Sequence, residues 1–217
     1  MTTNITLVDE NNNVLGEMDK YKAHEHPAKL HRASSVWLIN DKNEVLLQKR
    51  SVQKIVGAGW WGNAICGNVR PNETFEDCAI RRLREEIGVI YQNEAGEKLQ
   101  LKPIYQFIYK AYCNSKYGEF EFDQVFVEKY NGKVELNHEE ASDYCWVDFN
   151  FLINEIQKNS SIPSPKETLD FSIELLKQKT APIKINLNNK KVLLAPWSAM
   201  MLNDDRLKSY LESINSK

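Results

Sequence analysis

Between Gly67 and Val89 the chain reads GNVRPNETFEDCAIRRLREEIGV, and this stretch constrains the fold more than any other. Ala79, Ile80, Leu83 and Ile87 recur at helical spacing, which gives a helix one apolar face. Thr74 followed three residues later by Asp77 resembles a capping box and starts the helix right after Glu73. Gly88 stands where a C-terminal cap belongs. Glu85 and Glu86 lie in the last turn, where the helix dipole disfavours carboxylates, so their presence needs a reason. Oxygen ligands suit Mg²⁺ shared between carboxylate and diphosphate. Taken alone, the two glutamates fit equally a solvated acidic turn, with Arg82 and Glu86 as an i, i+4 ion pair.

Around this helix the chain alternates short apolar runs with polar turns. NITLVD, NVLGEM, SSVWLIN and EVLLQKR precede it, and LKPIYQFIYKAYC, EFEFDQVFVEKY, KVEL and YCWVDF follow, all with the character of strands. Strands enclosing a helix predict a mixed sheet, α+β or α/β. Past residue 150, FLINEIQKN reads as helix and SSIPSP breaks it. SPKETLDFSIELLKQ restarts a helix with Ser164 as N-cap and Pro165 in the first turn, with Leu169, Ile173 and Leu176 on one face. PIKINLNNKKVLLAPW fits a small hairpin, and DDRLKSYLESI a closing helix. We expect a single domain over 1–217, with N-terminal strands in 1–30, a core over about 30–150 and a C-terminal addition over 151–217.

Composition narrows the function. Lys and Arg total 28 against 30 Asp and Glu, which gives no bulk signal for nucleic acid or an anionic membrane surface, so any anion site is local. The absence of a leader-like start, of an 18-residue apolar run and of paired CxxC cysteines reads as cytoplasmic, with reduced thiols.

Gly67, Glu73, Arg81, Leu83, Glu85, Glu86, Gly88 and Val89 match the Nudix box at almost every place, and the chain resembles that superfamily. Arg82 stands where the box has a glutamate of the hydrolytic metal cluster. Within the superfamily the sequence is similar to the type I isopentenyl diphosphate isomerases. They share this arginine and a cysteine just before the glycine, and the likeness extends from DKYKAHEHPAKLHRASSVWLIN through LLQKRSVQKI, NAICGN and GEFEFD to APW. The resemblance implies a Nudix fold, an α/β/α sandwich about a mixed sheet, to which a C-terminal helical insertion over roughly 155–193 is added.

The resemblance also implies an activity: interconversion of isopentenyl and dimethylallyl diphosphate through a tertiary carbocation. Two proton-transfer groups on opposite faces of the substrate are required, and by resemblance these are Cys66 and Glu121. A free thiol titrates near about 8.5 and can carry a proton, although a lone cysteine is more often a small buried hydrophobe. Cys78, mid-helix beside Ala79, keeps that second reading. Tyr109 and Trp197 are implied as aromatic faces for the cationic carbon, with core packing as the alternative for Tyr109. Trp60 and Trp61 are expected in the pocket wall.

Two ion sites follow from the same likeness. Mg²⁺, bound by Glu86 and the Cys66 carbonyl, is expected with the diphosphate. Lys20, Arg50, Lys54 and Arg82 supply the cationic clamp. A second divalent ion, Mn²⁺ or Zn²⁺, is expected on His24, His31, Glu119 and Glu121. Glu119, Glu121 and Asp123 project from one face of a strand, as a solvent-facing strand would also have them, with Asp123 placed just outside the ligand set. The family's third metal histidine falls at Asn68, whose neutral carbonyl weakens the site and favours harder ions such as Mn²⁺ or Mg²⁺. His26 is either a substitute imidazole or an exposed loop residue before Pro27. The partner implied is a small isoprenoid diphosphate, bound by a monomer or homodimer without nucleic acid or membrane insertion. The alternatives are a Nudix hydrolase of a small diphosphate and a non-catalytic diphosphate-binding domain.

Overall fold

Helix α2 (Phe75–Ile87) has the ends its sequence specifies. Thr74 and Asp77 exchange side-chain and backbone hydrogen bonds in a capping box, and Gly88 closes the helix at φ 68°, a left-handed conformation that glycine adopts without strain. This is a computed structural model, and it describes residues 3–90, 101–158 and 162–215.

The strands are β1 (Asn4–Val8), β2 (Val14–Asp19), β3 (His31–Ile39), β4 (Glu44–Arg50), β5 (Trp61–Gly62), β6 (Ile65–Asn68), β7 (Lys102–Tyr112), β8 (Gly118–Lys129), β9 (Ala141–Asp148), β10 (Ile183–Leu187) and β11 (Lys190–Leu194). They form one mixed sheet. Its centre is β3, which pairs in parallel with β8 from His31↔Glu121 to Ile39↔Lys129 and antiparallel with β4 and β6. Because β3 is covered on both faces it is buried almost throughout, and its second half, Val36–Ile39, is wholly apolar. Val36 and Leu38 join Leu46, Ile65 and the α2 residues Ala79, Leu83 and Ile87 on one side. Trp37 and Ile39 join Val45 and Leu47 on the other, beneath α3 (Phe149–Gln157), α6 (Pro196–Leu202) and α7 (Asp205–Asn215). The α/β/α arrangement is therefore present. No helix among the described residues is long and apolar enough to cross a membrane.

Two expected elements differ. KVEL, 133–136, is outside the sheet: Glu135 N–H donates to the Ile87 carbonyl and Asn137 N–H to the Glu86 carbonyl, both at 2.9 Å, so the segment satisfies the open C-terminal carbonyls of α2. The single helix expected over 164–178 is two, α4 (Pro165–Leu169) and α5 (Ile173–Lys179), the second restarted by a Ser172 cap. Leu176 is buried but Ile173 is exposed, so no single apolar face runs through both.

The break has a function in the sheet. On β7, Lys110 N–H donates to Thr168 Oγ1 and Tyr112 N–H to Thr180 Oγ1, each at 2.9 Å. Two short helices place a threonine beside each of these edge amides. Both hydroxyls are buried and donate in turn to carbonyls of their own helices. Replacing Thr168 and Thr180 together by valine keeps the shape and removes both acceptors. It should lower unfolding stability by about 1–3 kcal/mol per site in urea denaturation. A change below about 0.5 kcal/mol, the scale of a neutral surface substitution, would mean that water replaces the threonines.

The hairpin β10–β11 turns at Asn188–Asn189, both at positive φ, and enters the sheet through a parallel bridge from Leu194 to Trp61.

Candidate functional site

A cleft of about 430 Å³ opens where β6, the second half of α2, α1 (Lys20–His24) and the loop after β4 converge. Gly67 has no side chain there because a Cβ would collide with the methylenes of Arg82. One end is lined by His24, Glu119, Glu121, Cys66 and Asn68, the other by Lys20, Arg50, Lys54, Arg81, Arg82 and Glu140.

At the first end strand register does the assembly. His31 and Glu121 are direct partners on β3 and β8, and Cys66 faces Ser35 across β3–β6. His24, His31, Glu119 and Glu121 bring one ligand atom each within 4.8 Å of one another. His24 Nδ1 lies 2.6 Å from the Lys20 carbonyl and His31 Nδ1 2.8 Å from that of Lys29. A carbonyl only accepts, so each ring keeps a hydrogen on Nδ1 and presents Nε2, the nitrogen that can bind a cation, to the carboxylates. His24 Nε2 is 3.1 Å from Glu119 and His31 Nε2 3.5 Å from Glu121. His31 Nε2 and Glu119 Oε2 are buried without a hydrogen-bond partner, which is the condition of ligand atoms facing a cation. Asn68 lines the cleft on the same β6 face as Cys66. His26 is elsewhere, stacked on Tyr112 and bonded to the Asn114 carbonyl, so it is a loop histidine rather than a substitute ligand.

Glu121 is also the hub of the proton-carrying groups. Tyr109 OH donates to its Oε2 at 2.6 Å, and the Cys66 thiol, partly open to the cleft, donates to the same oxygen with Sγ at 3.7 Å. Burial would raise the Glu121 pKa, but His31 and the Tyr109 hydroxyl hold it below the usual carboxylate value. Burial and Glu121 push the Cys66 thiol well up and keep it neutral. Asp123, bonded by the Ser35 hydroxyl at 2.7 Å, is raised by burial and by Glu121. The two groups expected on opposite faces of a substrate are thus in contact in this arrangement, because paired strands bring their side chains together.

At the cationic end every clamp residue has an internal partner. Arg50 donates to the Val56 carbonyl and lies over Trp197, and Arg82 donates to Glu86 (Nε to Oε1, 2.8 Å), Glu85 and Glu140. Glu86 is fully buried between Arg82 and Gln48 and does not line the cleft, whereas Glu85 does. Trp197 and Tyr109 are also shut off from it, at 1% and 0% exposure. Trp60 packs on Trp197, and Trp61 lies in the core, so both tryptophans stand behind the wall they were expected to form. Glu140, which the sequence did not single out, bonds Lys54 and Arg82.

Residues 29–166 match the NUDIX domain family. The isopentenyl-diphosphate Delta-isomerase 2 of Aromatoleum aromaticum is 38% identical over 158 residues, 73% of this chain and 79% of that protein. The chain belongs to the isopentenyl-diphosphate Delta-isomerase family. A second such isomerase, from Photorhabdus laumondii, is 37% identical over 66% of this chain and 76% of its own. The region matching the NUDIX domain, 29–166, contains the whole first end of the cleft apart from His24. The crystal structure of DR0079 from Deinococcus radiodurans, 19% identical with a TM-score of 0.56 over 72% of this chain and 90% of that one, shares the fold.

Proposed function

We propose that this chain interconverts isopentenyl and dimethylallyl diphosphate, with Cys66 and Glu121 moving the two protons. The observation that carries the reading is their meeting at the histidine and carboxylate end of a cleft whose other end is rich in cations. A proton is added at the terminal methylene carbon, positive charge forms at the tertiary carbon, and a proton leaves the neighbouring CH₂. The neutral Cys66 thiol and the Glu121 carboxyl are one donor and one acceptor, and Tyr109 holds Glu121 oriented between transfers. Lys20, Arg50, Lys54 and Arg82 bind the diphosphate, with Lys54 and Arg82 exchanging internal carboxylates for phosphate oxygens. Glu86 and the Cys66 carbonyl are assigned to Mg²⁺ arriving with the diphosphate, since Arg82, which the substrate would draw away, keeps Glu86 ionised against its burial. Trp197 stays a candidate aromatic face, reached when Arg50 above it turns to phosphate.

His24, His31, Glu119 and Glu121 would hold the second divalent ion, whose charge beside Glu121 raises the acidity of a proton there. With Asn68 as neutral fifth neighbour, Mn²⁺ or Mg²⁺ is favoured over Zn²⁺. Asn68→His should tighten Zn²⁺ binding at least about tenfold in a chelator competition titration, since an added imidazole suits Zn²⁺. An unchanged titration would show that Asn68 is outside the coordination sphere.

Proton and phosphorus NMR with isopentenyl diphosphate, Mg²⁺ and Mn²⁺ in D₂O tests the whole reading. Deuterated dimethylallyl diphosphate is expected. Phosphate release with the double bond unmoved would make the chain a hydrolase instead.

A further inference from the structure

We propose that Glu140 is the positioning residue of the diphosphate clamp, holding Lys54 and Arg82 at a fixed separation from each other through one shared carboxylate oxygen. Lys54 Nζ and Arg82 Nη2 both donate to Oε2, the latter at 2.8 Å. They come from different elements, Lys54 from the loop after β4 and Arg82 from α2. The backbone around Glu140 is fastened to the same two elements: Ser51 N–H donates to the Glu140 carbonyl at 3.0 Å, and Asn137 N–H to the Glu86 carbonyl. Glu140 N–H donates to Asn137 O, closing a turn that fixes the carboxylate between loop and helix. The side chain lines the cleft and is partly exposed, so an incoming phosphate meets all three groups at once.

Two like charges on separate elements drift apart unless an anion lies between them. Glu140 is that anion before substrate arrives, and the gap it sets is one a phosphate oxygen can occupy. Burial alone would raise its pKa, but Arg82 and Lys54 bring it down to about 2, so it stays ionised through the neutral range. The role rests on the proposed clamp, and the test separates the two.

The experiment is calorimetric titration of inorganic pyrophosphate with Mg²⁺ into wild type, Glu140→Gln, Lys54→Met and the double variant, together with isomerisation kinetics. Glu140→Gln should weaken pyrophosphate binding and raise KM together by about tenfold, with kcat falling less than about threefold, because only binding geometry is lost. In the Lys54→Met background the same change should cost less than about twofold, because with Lys54 gone no pair is left for Glu140 to space. A merely structural residue would show the same loss in both backgrounds. Wild-type or tighter binding by Glu140→Gln would overturn the proposal and make Glu140 a competing counter-ion. Wild-type binding by Lys54→Met alone would instead remove the clamp on which it rests.

Discussion

Cys66→Ala is expected to reduce isomerisation by about 10²–10⁴-fold, the usual contribution of one positioned proton-transfer group. Pyrophosphate binding should stay within about twofold, since no binding group is removed. The two effects separate because the cleft has two ends. The thiol touches Glu121 and belongs to the histidine and carboxylate end, whereas Arg50, Lys54 and Arg82 hold the other. The variant should also fold normally: Cys66 is partly exposed to the cleft, and Glu121 keeps its Tyr109 and His31 partners. Single-turnover kinetics beside calorimetry reads both quantities. Normal turnover would transfer the proton step to Tyr109, the other neutral group on Glu121.

Arg82→Met should cost stability as well as binding. Arg82 is the charged partner of Glu86, whose remaining contact is Gln48 and whose exposure is 0%. Removing one partner of a buried pair leaves an uncompensated charge and typically costs about 3–5 kcal/mol. The pH dependence identifies the source. In the native chain burial would raise the Glu86 pKa, but Arg82 and then Lys54 lower it. Its contribution is therefore present above the unfolded value of about 4.3 and is lost as pH falls through the folded one. In the variant only Lys54 and the Gln48 hydrogen bond oppose burial and the folded pKa rises, so protonation restores what ionisation costs. The deficit should be largest at neutral pH and shrink toward pH 4. Urea denaturation across that range would show it, and a deficit independent of pH would trace the loss to packing of the Arg82 methylenes against Gly67.

What could be read from the sequence was what lies close together in it. The α2 caps and the strand alternation were legible, because caps and side-chain faces follow from spacings of two to four residues, whereas His24, His31, Glu119 and Glu121 were grouped only through the family resemblance. Glu140 was not. Its partners lie 86 and 58 residues away, and nothing in NHEEASDY marks one acid above its neighbour. KVEL has strand composition, yet an open helix end claimed its amides before a sheet could. The contact between Cys66 and Glu121 was hidden for a related reason: each was assigned a role, but only the registers of β6 and β8 on β3 set their separation.

The threonines on β7 bear on how copies of this chain can associate. A bare sheet edge is the usual place where two subunits continue one sheet into another. Here the outward amides of Lys110 and Tyr112 are already bonded, and α4 and α5 stand where a neighbouring strand would lie. A dimer formed by extending the sheet across β7 is closed to this protein. If it dimerises, the subunits meet elsewhere, and α4 and α5 act as a barrier to that one mode of assembly.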